Sequence, residues 1–226
     1  DSVTVAGEGA AETEFTLSYK GTRLQGDALR ERLDGWVTDG VIEPGVRDAV
    51  NKVLDNPDWL DVRDRTFVVL GAGAEMGPLR SLLRWGGRVV GIDLPRPALW
   101  SSLFNVARQG AGSLVVPVAA GRADASDPAQ HAGADLLHDI GGVGDYLLAL
   151  DGPFVLGNYV YADGGVNLRL SAATDALALR LARDGAAVTA GEPVSRGRND
   201  EEPAERSAGS SPFLGAWTGD GAAAAR

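Results

Sequence analysis

The stretch Thr66-Phe-Val-Val-Leu-Gly-Ala-Gly-Ala-Glu-Met-Gly77 predicts the fold of this chain. Residues 67–70 form an unbroken apolar run, which is typical of a parallel strand that is covered on both faces. Gly71 and Gly73 follow the run, where the chain must turn tightly and let a ligand approach the backbone. Residues 79–83 then repeat leucines at helical spacing, so the stretch predicts a strand, a glycine turn and a helix.

A second strand and an acid complete this pattern. Residues 88–92 form another short apolar run, and Asp93 ends it about 20 residues after the glycines. The whole pattern resembles the dinucleotide-binding fingerprint of the Rossmann-fold NAD(P) proteins, over roughly residues 60–190. One departure is the spacing G-x-G-x-x-x-G, in which Met76 stands where the fingerprint has its third glycine. Either Gly77 takes over the close helix–strand contact, or the turn carries an extra residue.

The resemblance implies a site for NAD or NADP. It places the diphosphate on the loop and on the free N–H groups of the following helix. The loop residues implied are Gly71, Gly73, Ala74, Glu75, Met76 and Gly77. Asp93 would hold the ribose hydroxyls and favour NAD, because a carboxylate repels a 2′-phosphate. Arg96 leaves NADP as an alternative cofactor, since an arginine can bind that phosphate. Alternatively, Asp93 simply caps the helical segment that starts near Pro95.

Two later segments are distantly similar to short-chain dehydrogenases. Asp135 and Leu136 resemble the acid–apolar pair that those enzymes place against the adenine ring, although a turn acid explains Asp135 equally well. Gly157 and Asn158 stand where those enzymes carry an Asn-Ala-Gly run near the nicotinamide ribose. The resemblance therefore implies that these four residues contact the cofactor.

Three residues are catalytic candidates. Tyr159 or Tyr161 could donate a proton to a carbonyl during hydride transfer, and His138 could act as a base. Short-chain dehydrogenases use a Tyr-x-x-x-Lys pair, but this chain has only Lys20 and Lys52, and neither follows a candidate tyrosine. The standard short-chain mechanism is therefore absent, and half-buried strand tyrosines are the structural alternative.

The fold class expected is α/β, a Rossmann-like doubly wound parallel sheet with an N-terminal helical appendage and a disordered C-terminal tail. Its domains are an arm and helical pair (1–60), a dinucleotide-binding domain (61–190) and a low-complexity tail (191–226). The strands are expected near 66–70, 88–92, 114–118 and 153–160, with a short fifth strand at 186–190.

Within the first 60 residues, we expect a loose arm over 1–14 and an extended segment that turns at Lys20-Gly21. Asp27 is the expected N-cap of a first helix. A second helix opens at Pro44 and presents Val46, Val50, Val53 and Leu54 on one face. The helix of roughly 18 residues that ends at Arg183 is expected to carry one apolar face, made of Leu168, Ala172, Ala176, Leu179 and Ala182.

Composition excludes several classes of function. The net charge is −10, so a nucleic-acid partner is not expected. No apolar run is long enough to span a membrane. The chain has no cysteine and only two histidines, His131 and His138, so no metal site is predicted. We expect a cytoplasmic protein. The chain starts with Asp1 rather than Met, so a fragment or a trimmed chain is expected.

The sequence leaves three functions open. The first is an NAD(P)-dependent oxidoreductase, or the cofactor-binding part of one, which acts on an unknown small molecule. The second is a non-catalytic module that senses or positions a dinucleotide. The third is an S-adenosylmethionine-dependent methyltransferase, whose usual loop is G-x-G-x-G, whereas this chain has Glu75 at the last glycine position. A homo-oligomer is compatible with all three.

Overall fold

A mostly parallel sheet lies at the centre of the structure, a computed structural model that describes residues 1–186. Strands and helices are numbered separately along the chain. The strands are β1 (Ser2–Ala6), β2 (Thr16–Tyr19), β3 (Thr22–Gln25), β4 (Thr66–Leu70), β5 (Arg88–Ile92), β6 (Ser113–Pro117) and β7 (Phe154–Asn158). The helices are α1 (Gly26–Thr38), α2 (Pro44–Asp55), α3 (Leu79–Arg84), α4 (Pro97–Gln109), α5 (Ile140–Leu148) and α6 (Gly164–Arg183). The four strands predicted between residues 66 and 160 are confirmed.

The strand order in the five-stranded sheet is β1-β6-β5-β4-β7. β4 pairs in parallel with β5 and β7, and β5 pairs in parallel with β6. Leu70 lies opposite both Ile92 and Asn158, so these three strands end together. We call this side of the sheet its carboxyl end, and the side where the same strands begin its amino end.

Helices cover both faces of the sheet, as predicted. Successive strand residues point to opposite faces, so Val69 packs under α3 and α4 while Val68 packs under α5 and α6. The first core contains Leu83 and Trp100, and the second contains Leu147 and Leu177. The strands read as unbroken apolar runs because both of their faces are buried. The chain is therefore a mixed α/β protein.

The prediction of a loose arm over residues 1–14 is wrong. β1 pairs antiparallel with β6, and Val5 is buried in the first core. The backbone continues in contact with the domain, because Glu12 N–H donates to the carbonyl of Arg84 at 2.9 Å. The alternation of Val3 and Val5 with small polar residues is the strand signal that a reading of this segment as aperiodic misses.

The N-terminal hairpin and helices follow the prediction in outline. β2 and β3 are joined at Lys20 and Gly21, both with positive φ. The first helix begins at Gly26 after Gln25, so Asp27 lies inside the first turn and is not the N-cap. α2 has the predicted start at Pro44, but it buries no residue fully, and Val46 is half exposed.

The apolar face predicted for α6 is turned away from the sheet. Leu168, Ala172, Ala176, Leu179 and Ala182 are all exposed. The buried face is made of Thr174, Leu177, Ala178 and Leu181. Alanines and leucines recur on both sides of this helix, so the helical period alone does not identify the side that packs on the sheet.

Two further observations complete the fold. No helix within residues 1–186 combines the length and the apolar character that crossing a membrane requires. The predicted fifth strand, apart from Ala186, and the predicted tail at 191–226 lie outside the described residues.

Candidate functional site

The loop between β4 and α3 is held in place by close contacts between backbones. Gly71 has φ +78°, and an added Cβ would lie 2.9 Å from the carbonyl carbon and oxygen of Tyr159. Tyr159 N–H donates to the carbonyl of Leu70 at 2.8 Å, which holds the end of β7 against this turn. Only glycine fits here, both because of its left-handed backbone and because the Tyr159 backbone leaves no space.

The loop is longer than the usual fingerprint. α3 begins at Leu79, six residues beyond Gly73, and it has only six residues. The three atoms nearest to a Cβ at Gly77 all belong to Ala74, so Gly77 makes no close helix–strand contact. Residues 74–78 therefore separate Gly73 from the helix. Met76 lies at the tip and is 95% exposed.

Asp93 at the end of β5 joins this loop. Its Oδ2 accepts a hydrogen bond from Gly73 N–H at 2.8 Å, and its Oδ1 accepts one from Leu94 N–H at 2.7 Å. The alternative of a helix cap is wrong, because α4 begins at Pro97 after Arg96. An ionised carboxylate has about four lone-pair positions, so acceptor capacity remains for a ligand. The structure thus brings together the glycine and the acid that the sequence singled out.

Leu99 also belongs to this site. It lies in the first turn of α4, and a Cβ added to Gly73 would be 2.5 Å from its Cδ1. Leu99 therefore covers the glycine loop beside Asp93. Its helical position predicts an inward side chain but does not reveal a contact with a loop about 26 residues earlier.

The segment after β6 crosses next to Asp93. Ala134 N–H donates to the Asp93 carbonyl at 2.9 Å, and Gly133 adopts φ +101° with its Cα packed against that carbonyl and Trp100. The sequence did not single out Gly133, because a glycine in a polar loop is ordinary. Leu136 is buried in the core under α5 and α6, so its side chain is not displayed for an adenine ring.

Asp135 lies within hydrogen-bonding distance of His138. Its Oδ2 lies 2.8 Å from His138 Nδ1, and its Oδ1 accepts a hydrogen bond from Leu137 N–H at 2.8 Å. Burial acts to raise the pKa of Asp135, but the hydrogen bonds from His138 and Leu137 and the His138 charge outweigh it and lower that pKa. The side chain of His138 is 80% exposed. Asp135 therefore has a partner of its own within the protein.

The residues at the end of β7 and directly after it make contacts that hold the fold together. Asn158 Nδ2 donates to the buried hydroxyl of Thr174 at 3.1 Å, and its Oδ1 accepts from Val160 N–H at 3.2 Å. The ring of Tyr159 folds back over Gly157, where a Cβ would be 2.6 Å from a ring carbon. Partial burial raises the pKa of Tyr159. Tyr161, in contrast, is exposed.

The catalytic candidates do not form one cluster. No hydrogen bond among the described residues joins His138 to Tyr159 or Tyr161. Residues 1–186 also contain no group of three or more acids and histidines that could hold a metal ion. The part of the site that converges is the set Gly71, Gly73, Asp93, Ala134 and the Tyr159 backbone, with Leu99 above it.

Two surface depressions lie elsewhere. One of about 640 Å³ is lined by Asp58, Asp61, Arg63 and Asp64, which precede β4 and therefore lie at the amino end of the sheet. A second, of about 220 Å³, lies between Glu12, Leu60 and Trp85. The first is wide and shallow, and its acids belong to one short segment. Contacts between remote parts of the chain make the carboxyl end the better candidate site.

Similarity to known proteins adds no assignment to this site. No protein-family model matches the chain, and neither a curated protein nor a solved structure is similar to it.

Proposed function

We propose that this chain binds an adenine dinucleotide, NAD in preference to NADP, at the carboxyl end of its sheet. We propose further that it is an oxidoreductase or the cofactor-binding part of one. The observation that carries the proposal is the contact between Gly73 and Asp93, 20 residues apart in sequence and 2.8 Å apart at N and Oδ2. A glycine loop and an acid so placed are what a bound nucleotide needs for its phosphates and ribose.

The sheet order supports this proposal. The parallel strands lie in the order β6-β5-β4-β7, which is the third, second, first and fourth of them along the chain. This is the order in which a Rossmann-like sheet begins, and its order reverses between the first and fourth strands. Ligands of open α/β sheets bind at that switch point. Gly71 and the Tyr159 backbone meet there.

The tip of the loop has N–H donors available for a diphosphate. Three other N–H groups of the loop are already used within the protein: those of Gly71 and Ala72 donate to the Ile92 carbonyl, and that of Ala74 donates to the Gly71 carbonyl. Glu75 and Met76 N–H have no acceptor among the described residues. Because α3 begins only at Leu79, the tip of the loop takes the role that a helix N-terminus has in the usual fingerprint.

Asp93 supports the preference for NAD. Both of its oxygens are already fixed by backbone N–H groups, so the carboxylate is oriented before a ligand arrives. Its remaining lone pairs can accept hydrogen bonds from two ribose hydroxyls, whereas a 2′-phosphate would bring like charges together. Arg96 in the next loop is the residue that would reverse this preference.

Tyr159 is the best candidate for a proton donor. It follows β7 directly, and its raised pKa keeps the phenol protonated at neutral pH, as an acid requires. The same observation favours a second function, a binding module without catalysis. Burial is the cause of the shift, and no lysine accompanies this tyrosine to make its proton easier to transfer.

Parallel titrations with NADH, NADPH and S-adenosylmethionine test the proposal. We expect NADH to bind most tightly. Tryptophan fluorescence can report this binding, because Trp100 packs beside Gly133 at the same end of the sheet. Asp93→Asn removes the charge and should weaken NADH binding. Asp64→Asn removes an exposed charge at the amino end and serves as the matched control. Binding of S-adenosylmethionine alone would favour the methyltransferase, and binding of none of the three would refute a nucleotide site.

A further inference from the structure

One edge of the sheet has no partner among residues 1–186. β7 is the last strand of the order β1-β6-β5-β4-β7, and within these residues it pairs with β4 alone. Tyr159 N–H donates to the Leu70 carbonyl of β4, and successive strand residues direct their backbone groups to opposite sides. The N–H and C=O groups of Leu156 and Asn158 therefore point away from β4, along what we call the outer edge of β7. Residues 154–158 contain neither lysine nor proline, which commonly protect an edge strand.

The end of α6 turns the chain back toward the sheet. Asp184 is the C-cap of this helix, and Gly185 follows it with φ +82°. Ala186 N–H donates to the Leu181 carbonyl at 3.0 Å, and Ala186 packs against the second core. A left-handed glycine with this hydrogen bond is the Schellman motif, which ends a helix and redirects the chain. The described part of the chain thus stops just after a turn onto the core that also contains Phe154 of β7.

α3 ends in the same way, and it leads directly into a strand. Trp85 is its C-cap, and Gly86 follows with φ +88°. Gly87 N–H donates to the Leu82 carbonyl at 2.9 Å, which is the same hydrogen bond in the same relative position. β5 then begins at Arg88, two residues after the left-handed glycine. By the same count, a strand that follows α6 begins at residue 187.

The residues after the two glycines also correspond. Gly86 is followed by Gly-Arg-Val-Val-Gly-Ile-Asp93, and Gly185 is followed by Ala-Ala-Val-Thr-Ala-Gly-Glu192. The third and fourth residues after each glycine are β-branched, which suits a strand. The seventh residue is an acid in both segments. The segment after α6 therefore has the pattern of β5 and of the acid that ends it.

The positions of the helices decide on which side of β7 such a strand lies. α3 and α4 pack on one face and lead from β4 toward β6, whereas α5 packs on the other face and leads back to β7. These three connections therefore share one hand, and about 98% of such crossovers are right-handed. α6 packs on the same face as α5. A fourth connection of the same hand places its strand beyond β7, on the side away from β4.

We propose that residues 187–191 of this chain bind the outer edge of β7 as a strand parallel to it, and that this strand brings Glu192 to the carboxyl end of the sheet. Glu192 then has the position at the end of its strand that Asp93 has at the end of β5. The junction where Gly71 meets the Tyr159 backbone lies inside such a sheet instead of beside its edge. The proposal goes beyond dinucleotide binding and does not depend on which ligand the chain takes.

Amide hydrogen exchange of the full chain, followed by NMR, tests the contact. We expect the Leu156 amide to be protected in the natural chain, because it donates to the added strand. The double variant Val188→Pro/Thr189→Pro removes two N–H groups from the middle of that strand and prevents its pairing. Exchange at Leu156 should then become at least about tenfold faster.

Two controls accompany this variant. The Gly157 amide faces β4, so its exchange should be the same with and without the prolines. Ala222→Pro/Ala223→Pro places the same two residues near the end of the chain and should leave Leu156 protected. The proposal is overturned if the Leu156 amide of the natural chain is unprotected, or if its protection survives Val188→Pro/Thr189→Pro. Protection that rises with protein concentration also overturns it, because a second copy would then occupy the outer edge.

A spin label tests the direction of the strand. The natural chain has no cysteine, so Glu192→Cys provides a single attachment site for a nitroxide. A parallel strand puts this label near Asn158, and the amide signal of Asn158 should be broadened more than that of Phe154 at the other end of β7. Reduction of the nitroxide should restore both signals. Stronger broadening at Phe154 would show an antiparallel strand and would overturn the position proposed for Glu192.

Discussion

The two ends of the sheet differ in how their polar groups are brought together. At the amino end, Asp61 and Arg63 are two residues apart and form an exposed pair at 2.6 Å. The hydrogen bonds from Arg63 lower the pKa of Asp61 to about 2. At the carboxyl end, Gly73, Asp93 and Ala134 come from three separate connections, and the N–H groups of Gly73 and Ala134 both donate to Asp93.

This difference separates a shallow surface from a candidate site. The depression of about 640 Å³ lies at the amino end, yet one short segment lines it. Neighbours in sequence form such pairs with little help from the rest of the fold, and exposed pairs add little to stability. The contacts of the carboxyl end exist only because β4, β5 and β7 end together. Convergence from remote sequence, rather than volume, therefore marks the place where a ligand can be recognised.

The largest expected effect comes from filling the closest contact at the carboxyl end. Gly71→Ala should lower the free energy of unfolding by about 3 kcal/mol, because it combines left-handed strain with a clash against the Tyr159 backbone. Gly121→Ala is the matched control. Gly121 has a similar φ of +71° but open space around it, so we expect a loss of about 1 kcal/mol. The measurement is urea denaturation of both variants. Equal losses of unfolding free energy would mean that backbone strain, without the clash against Tyr159, makes Gly71 necessary.

Ligand binding should be lost when the glycine loop is filled. In Gly73→Val the side chain would displace Leu99 and occupy the space above the loop, so NADH affinity should fall by at least about a hundredfold. Gly141→Val, in the open first turn of α5, should leave that affinity unchanged. Unchanged binding in Gly73→Val, with a native circular dichroism spectrum, would contradict the site assignment.

The choice of cofactor should depend on Asp93. NADH should bind more tightly than NADPH by about 1–3 kcal/mol, which is the range of a charge-assisted hydrogen bond. Asp93→Ser should reduce this difference in binding free energy between NADH and NADPH, because the serine neither repels a 2′-phosphate nor accepts hydrogen bonds from both ribose hydroxyls. Tighter binding of NADPH by the natural protein would reverse the assignment and point to Arg96.

The pair of Asp135 and His138 should make a smaller contribution that depends on pH. The pKa of Asp135 is lowered in the folded protein, so its stabilisation is present above the ordinary aspartate pKa of about 3.9. That stabilisation is lost as the pH falls through the lowered folded-state pKa. Asp135→Asn should therefore reduce stability by about 0.5 kcal/mol at pH 6 and by less at pH 2. A loss of the same size at both pH values would show that the charge of Asp135 is not the cause.

The smallest effect is expected at the amino end. Arg63→Ala removes the partner of Asp61 in an exposed segment, and it should leave NADH affinity unchanged. A fall in affinity comparable to that of Asp93→Ser would mean that the depression at the amino end takes part in binding. The two ends of the sheet would then not differ in whether they take part in ligand binding.

The sequence predicts the four parallel strands of the sheet well, because each of them is a short apolar run. Apolar runs such as residues 67–70 are buried on both faces, so neither face breaks the run with polar residues. Gly71 and Asp93 were also predictable, because a turn and a strand end fix where such residues lie. The link between Gly73 and Asp93 follows from the parallel pairing of the strands that precede them.

Other features depend on packing partners that local sequence does not contain. Both sides of α6 have helical periodicity, and only the position of the second core decides that Leu177 is inside and Leu179 outside. From the sequence, Asp135 could either pair with His138 or lie against an adenine ring. The residue spacing favours neither role, and the structure shows the contact with His138. Leu99 reaches the glycine loop only through the placement of α4, which is a tertiary effect.

The pairing of β1 with β6 has a consequence for how the chain is made. Val3 pairs with Val116, so 113 positions separate the partners. Ribosomes add about 5–20 residues each second, so the first strand waits for roughly 6–23 s before its partner exists. During that time its hydrogen-bonding groups are open to other chains on the polysome. Closure of this edge must also come late in refolding, because a contact so distant in sequence needs a large loop to close first.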